Sequence, residues 1–150
     1  MPVRPPTKLV LAAASMAALA TAVAGAPAAS ASAARRGPVI VSCAGTGMAK
    51  PAGIVLACAD ANWGVQHLHW RDWGSSRALA GGVGYANTCV PSCVSGHLVH
   101  YRVHVVASRL RQTEDGRRYT RLEVRAAHRP PAELPRVATF RLTRFGPSLI

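Results

Sequence analysis

The stretch HLVHYRVHVVASRLRQTEDGRRYTRLEVRAA, residues 97–127, decides the fold of this chain. In its first half apolar and polar side chains alternate, with Val106 as the one apolar exception on the polar side. One side carries Val99, Tyr101, Val103, Val105 and Ala107, and the other carries His100, Arg102, His104 and Ser108. A period of two residues is that of a β-strand with one buried face. We therefore predict a strand over residues 97–109.

Residues 118–127 repeat this alternation and predict a second strand. Thr120, Leu122, Val124 and Ala126 are expected to face inward, and Tyr119, Arg121, Glu123 and Arg125 outward. Between the two strands lies QTEDG, whose Asp-Gly pair is a strong signal for a tight hairpin. The sequence therefore predicts an antiparallel hairpin with arginines on its outer face.

Five further strands are predicted at residues 38–43, 53–58, 65–70, 77–85 and 136–142. The fourth of these is rich in glycine, so we expect it to bend or to carry a bulge. The prolines of HRPPAELP, residues 128–135, exclude a central strand there. About seven short strands without a helical period indicate an all-β domain, either a single antiparallel β-sandwich or an open barrel.

Residues 1–33 have the three zones of a secretory signal peptide. Arg4 and Lys8 precede an alanine-rich apolar run over residues 9–26, and the segment ends in ASASA, which offers an A-x-A cleavage site. We predict that cleavage leaves residues 34–150 as one secreted, extracellular domain without stable membrane insertion. A mature chain of this length is sufficient for one compact domain.

Four cysteines lie in the predicted mature chain, at Cys43, Cys58, Cys89 and Cys93. An exported chain meets an oxidising environment, and an even number of cysteines fits two disulfides. A metal site or a redox motif usually has C-x2-C spacing, whereas Cys89 and Cys93 flank a turn that contains Pro91. Four cysteines permit three pairings. We favour local pairing, Cys43 with Cys58 and Cys89 with Cys93, because each pair brackets one turn.

Several ordered motifs carry a resemblance to known proteins. They are VSC at residues 41–43, P-x2-I-x-L-A-C-A-D at 51–60, W-x2-W at 70–73 and N-x-C-x-P-x-C at 87–93. Together they resemble a group of small secreted proteins of uncharacterised function from high-GC Gram-positive bacteria, over roughly residues 41–142. The resemblance implies a secreted single domain, and it implies no mechanism.

The chain is strongly basic, with 18 Lys and Arg, 6 Asp and Glu, and a formal net charge of +12. A field of this size attracts polyanions, such as nucleic acid, anionic polymers of the cell surface or acidic lipid surfaces. A glycan polymer of the cell surface is the other candidate partner. Arg102, Arg121 and Arg125 are the candidate contacts, because the predicted hairpin places them on one surface with Glu123. Arginine also far outnumbers lysine in the mature part, so solvated strand faces shaped by GC-rich codon usage are the alternative.

Two tryptophans are candidates for a second kind of binding surface. Trp63 and Trp73 lie in the polar segments ANWG and RDWG, on either side of the predicted strand that contains Trp70. An exposed indole ring can cover the apolar face of a sugar. The alternative is that both rings close the ends of the hydrophobic core.

Candidate catalytic groups are few, and we predict no cofactor. His67 and His69 share one strand face, a spacing that allows both to bind one metal ion, with Asp72 as a third ligand. Paired surface histidines without a metal are the alternative interpretation. Asp60, in CADAN, is expected either to cap a turn or to pair with Asp72 as the acid and base of a hydrolase.

These observations predict a secreted, disulfide-stabilised β domain that binds a partner without catalysing a reaction. The alternative is a small secreted hydrolase that uses Asp60, Asp72 and the pair of His67 and His69. The two hypotheses differ in geometry, because the hydrolase requires these four side chains to meet in one cleft.

Overall fold

A computed structural model describes residues 37–130 and 134–150 of the chain. The predicted signal peptide, residues 1–33, lies outside the described residues. The described chain has nine β-strands: β1 Ile40–Val41, β2 Gly47–Met48, β3 Ile54–Val55, β4 Trp63–Arg71, β5 Arg77–Asn87, β6 Leu98–Thr113, β7 Gly116–Ala126, β8 Val137–Thr143 and β9 Gly146–Leu149. Across these residues no helix is long and apolar enough to cross a membrane.

Strands β3 to β9 form one seven-stranded antiparallel sheet in simple chain order, and β1 and β2 form a small separate sheet. The large sheet curls until it is nearly closed, so the all-β prediction is confirmed and the open barrel describes it best. Strand β1 lies along the start of β7, where the Val39 N–H donates to the Arg117 carbonyl at 3.0 Å. Strand β2 and strand β9 were not expected, and both are short.

The concave side of the sheet holds the hydrophobic core. Its buried residues include Ile40, Ile54, Val65, Leu68, Val103, Val105, Leu122, Val124, Phe140 and Leu142. The alternation predicted for residues 99–107 and 122–126 is confirmed. The buried apolar residues are Val103, Val105, Ala107, Leu122, Val124 and Ala126, and Val99 and Tyr101 near the start of β6 are half-buried. Burial of these side chains is the main stabilising contribution to such a sheet.

In the hairpin formed by β6 and β7, the side chains near the turn face the opposite way from the one that alternation predicts. Arg109 has a φ of 56°, and Arg109 and Thr120 are the one opposed pair missing from an otherwise continuous register. Beyond this point Tyr119, predicted to face outward, is fully buried at 0% exposure. The prediction for Tyr119 was wrong because the left-handed backbone at Arg109 interrupts the alternation of side chains. Side chains on the turn side of this point therefore face the opposite way from the one that simple alternation predicts.

The bulge expected in the glycine-rich strand β5 lies in its neighbour instead. Strand β5 pairs with β6 without interruption, whereas β4 places two residues, His67 and Leu68, opposite Gly82. A Cβ at Gly82 would lie 2.7 Å from the Leu68 side chain. Gly82 therefore admits Leu68 to the core, and the left-handed φ of 53° at His67 turns that imidazole outward.

Both predicted disulfides are confirmed. Cys43 pairs with Cys58, and Cys89 pairs with Cys93. The first joins the turn after β1 to the turn after β3. The Cys58 sulfur lies 3.8 Å from the carbonyl oxygens of Phe145 and Pro147, beside strand β9. Because β3 and β9 are the two edges of the sheet, this disulfide lies where the sheet closes.

Candidate functional site

The outer side of the sheet carries Arg102, Arg121 and Arg125, the arginines predicted to form a charged surface. Strand register places the side chains in rows that run across the strands. One row is His69, Gly81, His104 and Arg125; the next is Arg71, Leu79, Val106, Glu123 and Thr139; a third is Arg77, Ser108, Arg121, Arg141 and Ser148. Arg102 lies opposite Val83, beside the first row.

We call this surface the basic face. It consists of Arg71, Arg77, Arg102, Arg121, Arg125 and Arg141, with His69 and His104. Of the acidic residues in the described ranges, Glu123 alone lies in these rows, and its carboxylate is 3.1 Å from the Arg125 guanidinium. The other five arginines form no ion pair within the described chain. The face therefore carries a clear excess of positive charge.

At one place the basic face brings like charges into direct register. Arg121 and Arg141 are cross-strand partners on β7 and β8, and Arg109 lies beside them around a small depression of 180 Å³. Like charges directly opposite each other in a sheet are destabilising. An anion bound here would relieve that repulsion.

A shallow trough of 690 Å³ crosses the basic face around Gly81. Gly81 lies in register between His69 and His104, and a Cβ added there would meet nothing within 4 Å. Its walls include His67, Arg71 and Arg102, and no carboxylate lines it. The missing side chain at Gly81 leaves two imidazoles facing each other across an open channel. We call this channel the central trough.

The three tryptophans pack against the core and form internal hydrogen bonds. The Trp63 Nε1–H donates to the Tyr101 hydroxyl at 2.8 Å, and the Trp73 Nε1–H donates to the Pro38 carbonyl at 3.1 Å. Trp63 stacks edge-on against Phe140, and Trp73 stacks against Tyr119. Both rings are half-buried. The structure thus matches the core-closing interpretation, and sugar binding by these rings stays a prediction.

The contact between Trp63 and Tyr101 predicts a pH dependence of stability. Burial raises the pKa of Tyr101 above its ordinary value of 10.0, and the hydrogen bond from Trp63 partly offsets this rise. The folded chain then keeps the proton where the unfolded chain has lost it, so stability is full below about pH 10 and falls as pH rises further. We expect urea titrations to show a steeper alkaline loss for the wild type than for Tyr101→Phe.

The same variant has a second expected effect at neutral pH. Removing the hydroxyl leaves the Trp63 N–H without its acceptor, which costs on the order of 1 kcal/mol. Tyr85→Phe serves as the control, because Tyr85 lies on the outer side across from Gly64. An alkaline loss of equal size in the wild type and in Tyr101→Phe would contradict the assignment.

The residues of the predicted hydrolase do not meet. Asp60 precedes β4 and Asp72 follows it, so nine residues of strand, roughly 25 Å, separate them. Glycosidase carboxylates lie about 5 to 10 Å apart. Asp60 instead accepts hydrogen bonds from Asn62, from the backbone N–H at 3.1 Å and from Nδ2 at 2.8 Å. Asp60 thus caps its turn.

His67 and His69 both line the central trough, but Asp72 lies in the turn beyond β4. Over residues 37–130 and 134–150, no group of three histidine, cysteine, aspartate or glutamate side chains is arranged to hold a metal ion. The structure therefore does not join Asp72 to the two histidines. Their neighbours in the trough are Arg71, Arg102 and His104.

Sequence reasoning found Arg102, Arg121 and Arg125 but missed Arg71, Arg77 and Arg141. Arg71 and Arg77 lie at a strand end and a strand start, where alternation alone does not assign a face. Arg141 lies between the inward-facing Phe140 and Leu142, so alternation places it on the outer side. The signal that could have found them is the pairing register, because each lies in a row with a predicted outward residue.

Comparisons with protein-family models, with curated proteins and with solved structures found no match for this chain. The geometry and charge of the basic face are therefore the observations that bear on its function.

Proposed function

We propose that this domain is an extracellular, non-catalytic binding module for anionic polymers, and that the basic face is its contact surface. The observation that carries this proposal is the excess of charge on one side of the sheet. Six arginines and two histidines share strand rows with a single glutamate, which is already paired with Arg125. An extended polyanion gains affinity on such a surface by releasing its condensed counterions.

The shape of the face favours a polymer over a small anion. The cationic rows cross strands β4 to β8, an arc of roughly 19 Å along the outer side of the curled sheet at ordinary strand spacing. The central trough is lined by Arg71, Arg102 and three histidines, so successive charges of one polymer chain can be contacted together. A single small anion would reach only a few of these groups.

The packing of the aromatic residues supports charge, and not ring stacking, as the basis of binding. Trp63, Trp70 and Trp73 each donate their indole N–H to an acceptor within the domain and contact the core. Binding of single-stranded nucleic acid commonly uses aromatic side chains as stacking platforms. The polymer class that fits best is therefore recognised by its phosphates, as in a teichoic-type wall polymer.

Two features support the extracellular setting. The chain has two disulfides, which form and persist in oxidising compartments. The pattern of residues 1–33 is that of a signal peptide. The resemblance to small secreted proteins of high-GC Gram-positive bacteria agrees with both.

We expect the mature chain to bind fluorescent inorganic polyphosphate at low salt and to lose affinity steeply as salt is raised. Fluorescence anisotropy measures this directly, with single-stranded DNA as a second polyanion and dextran as a neutral control. Binding to dextran should be absent. No binding to either polyanion at low salt would overturn the proposed function.

A further inference from the structure

A second surface feature lies at one end of the sheet, in the segment that joins β5 to β6. We call residues 88–97 the stapled loop, because the Cys89–Cys93 disulfide closes it. Several hydrogen bonds join groups of the loop to each other and to Asn87 beside it. The Asn87 Nδ2 donates to the Cys93 carbonyl at 2.8 Å, and the Cys89 N–H donates to the Asn87 Oδ1 at 2.9 Å.

Further hydrogen bonds fix both halves of the stapled loop. The Thr88 N–H donates to the His97 carbonyl at 3.0 Å, and the Ser95 N–H donates to the Ser92 hydroxyl at 3.2 Å. A Cβ at Gly96 would collide with the Asn87 side chain and would approach the Cys89 nitrogen to 2.7 Å. The loop is thus tightly built around its own backbone, which leaves its apolar side chains no room to turn inward.

Those apolar side chains project into solvent. Val94 is 98% exposed, Val90 62% and Leu98, the first residue of β6, 58%. Residues 87–102 contain no acidic side chain, and their only charged or titratable groups apart from Tyr101 are His97, His100 and Arg102. Exposed apolar groups held on a fixed support mark an interaction surface.

The exposed apolar tip is continuous with the basic face. Leu98, His100 and Arg102 alternate along β6 and are all exposed, whereas Val103 and Val105 point into the core. A line along the outer side of β6 therefore passes from the valines of the loop, through Leu98 and His100, to Arg102 and the central trough. Apolar groups lie at one end of this line and cations at the other.

We propose that the stapled loop docks the domain on an anionic lipid bilayer. Val90, Val94 and Leu98 enter the interfacial region, and Arg102 with the adjoining basic face lies over the anionic headgroups. Apolar insertion and electrostatic attraction are the two contributions that together hold a protein at a membrane surface.

The convex shape of the stapled loop favours a bilayer over a protein partner. Val94 stands clear of its neighbours, because its side chain is almost fully exposed. A protein partner must supply a complementary pocket for such a projection, whereas a bilayer interface accepts it without one. This inference goes beyond the binding of soluble polymers and does not require it.

Co-sedimentation with vesicles tests the proposal. We expect the mature chain to bind vesicles of phosphatidylglycerol in phosphatidylcholine, and to bind phosphatidylcholine alone much more weakly. Replacing Val90, Val94 and Leu98 by serine should lower the partition coefficient on the anionic vesicles by about tenfold or more. The control replaces Phe145 and Leu149 by serine, which removes two apolar side chains of similar exposure away from the loop, and should leave binding unchanged.

Each result separates this proposal from the proposed function. A wild type that binds polyphosphate but not anionic vesicles overturns the lipid proposal alone. Equal vesicle binding by the wild type and the loop variant also overturns it, because the contact is then electrostatic only. A wild type that forms a dimer without vesicles, lost in the loop variant, assigns the loop to a second copy of the chain instead. Loop-dependent vesicle binding without binding to polyphosphate or single-stranded DNA supports the lipid proposal and overturns the proposed function.

Discussion

Replacing Cys43 and Cys58 by serine is expected to lower the free energy of unfolding by about 3 kcal/mol, the entropy of closing a loop of this length. For a domain of this size such a loss lowers the thermal midpoint by on the order of 10 °C. The 15-residue separation accounts for the entropic part. The position at the closing edges of the sheet adds to it, because the Cys58 sulfur contacts the backbone beside β9.

The other disulfide supplies the control. Cys89 and Cys93 are only four residues apart, so the entropic contribution of their bond is smaller, about 2 kcal/mol, and no further strand is held by it. The intact mass of the wild type should lie four hydrogens below the free-thiol mass, since two disulfides each remove two. Scanning calorimetry of the two double-serine variants measures how much stability each disulfide contributes. A larger loss for the Cys89–Cys93 variant would contradict the role assigned to the first disulfide.

Local pattern was sufficient to predict the strands that are half-buried and long. In β6 and β7 the contrast between valine or leucine inside and arginine or histidine outside repeats over several residues. Strands β2 and β9 have two and four residues, and neither offers enough alternation to be recognised. Each pairs with the strand directly before it, β2 with β1 and β9 with β8, so their short length is what hides them in the local pattern.

The sequence could not place the two points where the sheet changes face. At His67 and at Arg109 a left-handed backbone reorients the side chains that follow, and neither residue type requires that conformation. Tyr119 therefore joins the core, where its hydroxyl accepts the Gly74 N–H at 2.9 Å and donates to the Ser75 carbonyl at 3.0 Å. Only the tertiary structure provides these two partners.

The candidate site was predictable only within a single hairpin. Arg102, Arg121 and Arg125 share one surface because β6 and β7 are adjacent and their turn was recognised. Arg71 and Arg141 come to the same face through pairings on either side of that hairpin. Gly81 shows the same dependence on strand pairing. Its lack of a side chain opens the central trough only because His69 and His104 flank it on the neighbouring strands, which the sequence does not reveal.

Changing Arg102, Arg121 and Arg125 together to glutamine is expected to weaken polyphosphate binding at low salt by on the order of 100-fold. Each neutralised phosphate contributes roughly 0.7 to 0.9 to the slope of log affinity against log salt, so three lost contacts should flatten that slope by about two to three units. The thermal midpoint should change little, because exposed charges contribute weakly to stability. Anisotropy titrations over a salt series measure both the affinity and the slope.

The matched control changes Lys50, Arg129 and Arg144 to glutamine. These residues are exposed in loops and turns outside the strand rows of the basic face, and their replacement removes the same net charge. If long-range attraction to the whole chain were responsible, both variants would weaken binding and flatten the slope equally. If the basic face is the contact surface, the control keeps the wild-type slope, because counterions are released only from the phosphates that contact the protein. Equal slopes in the two triple variants would therefore refute a defined contact surface and leave only the net charge of the chain.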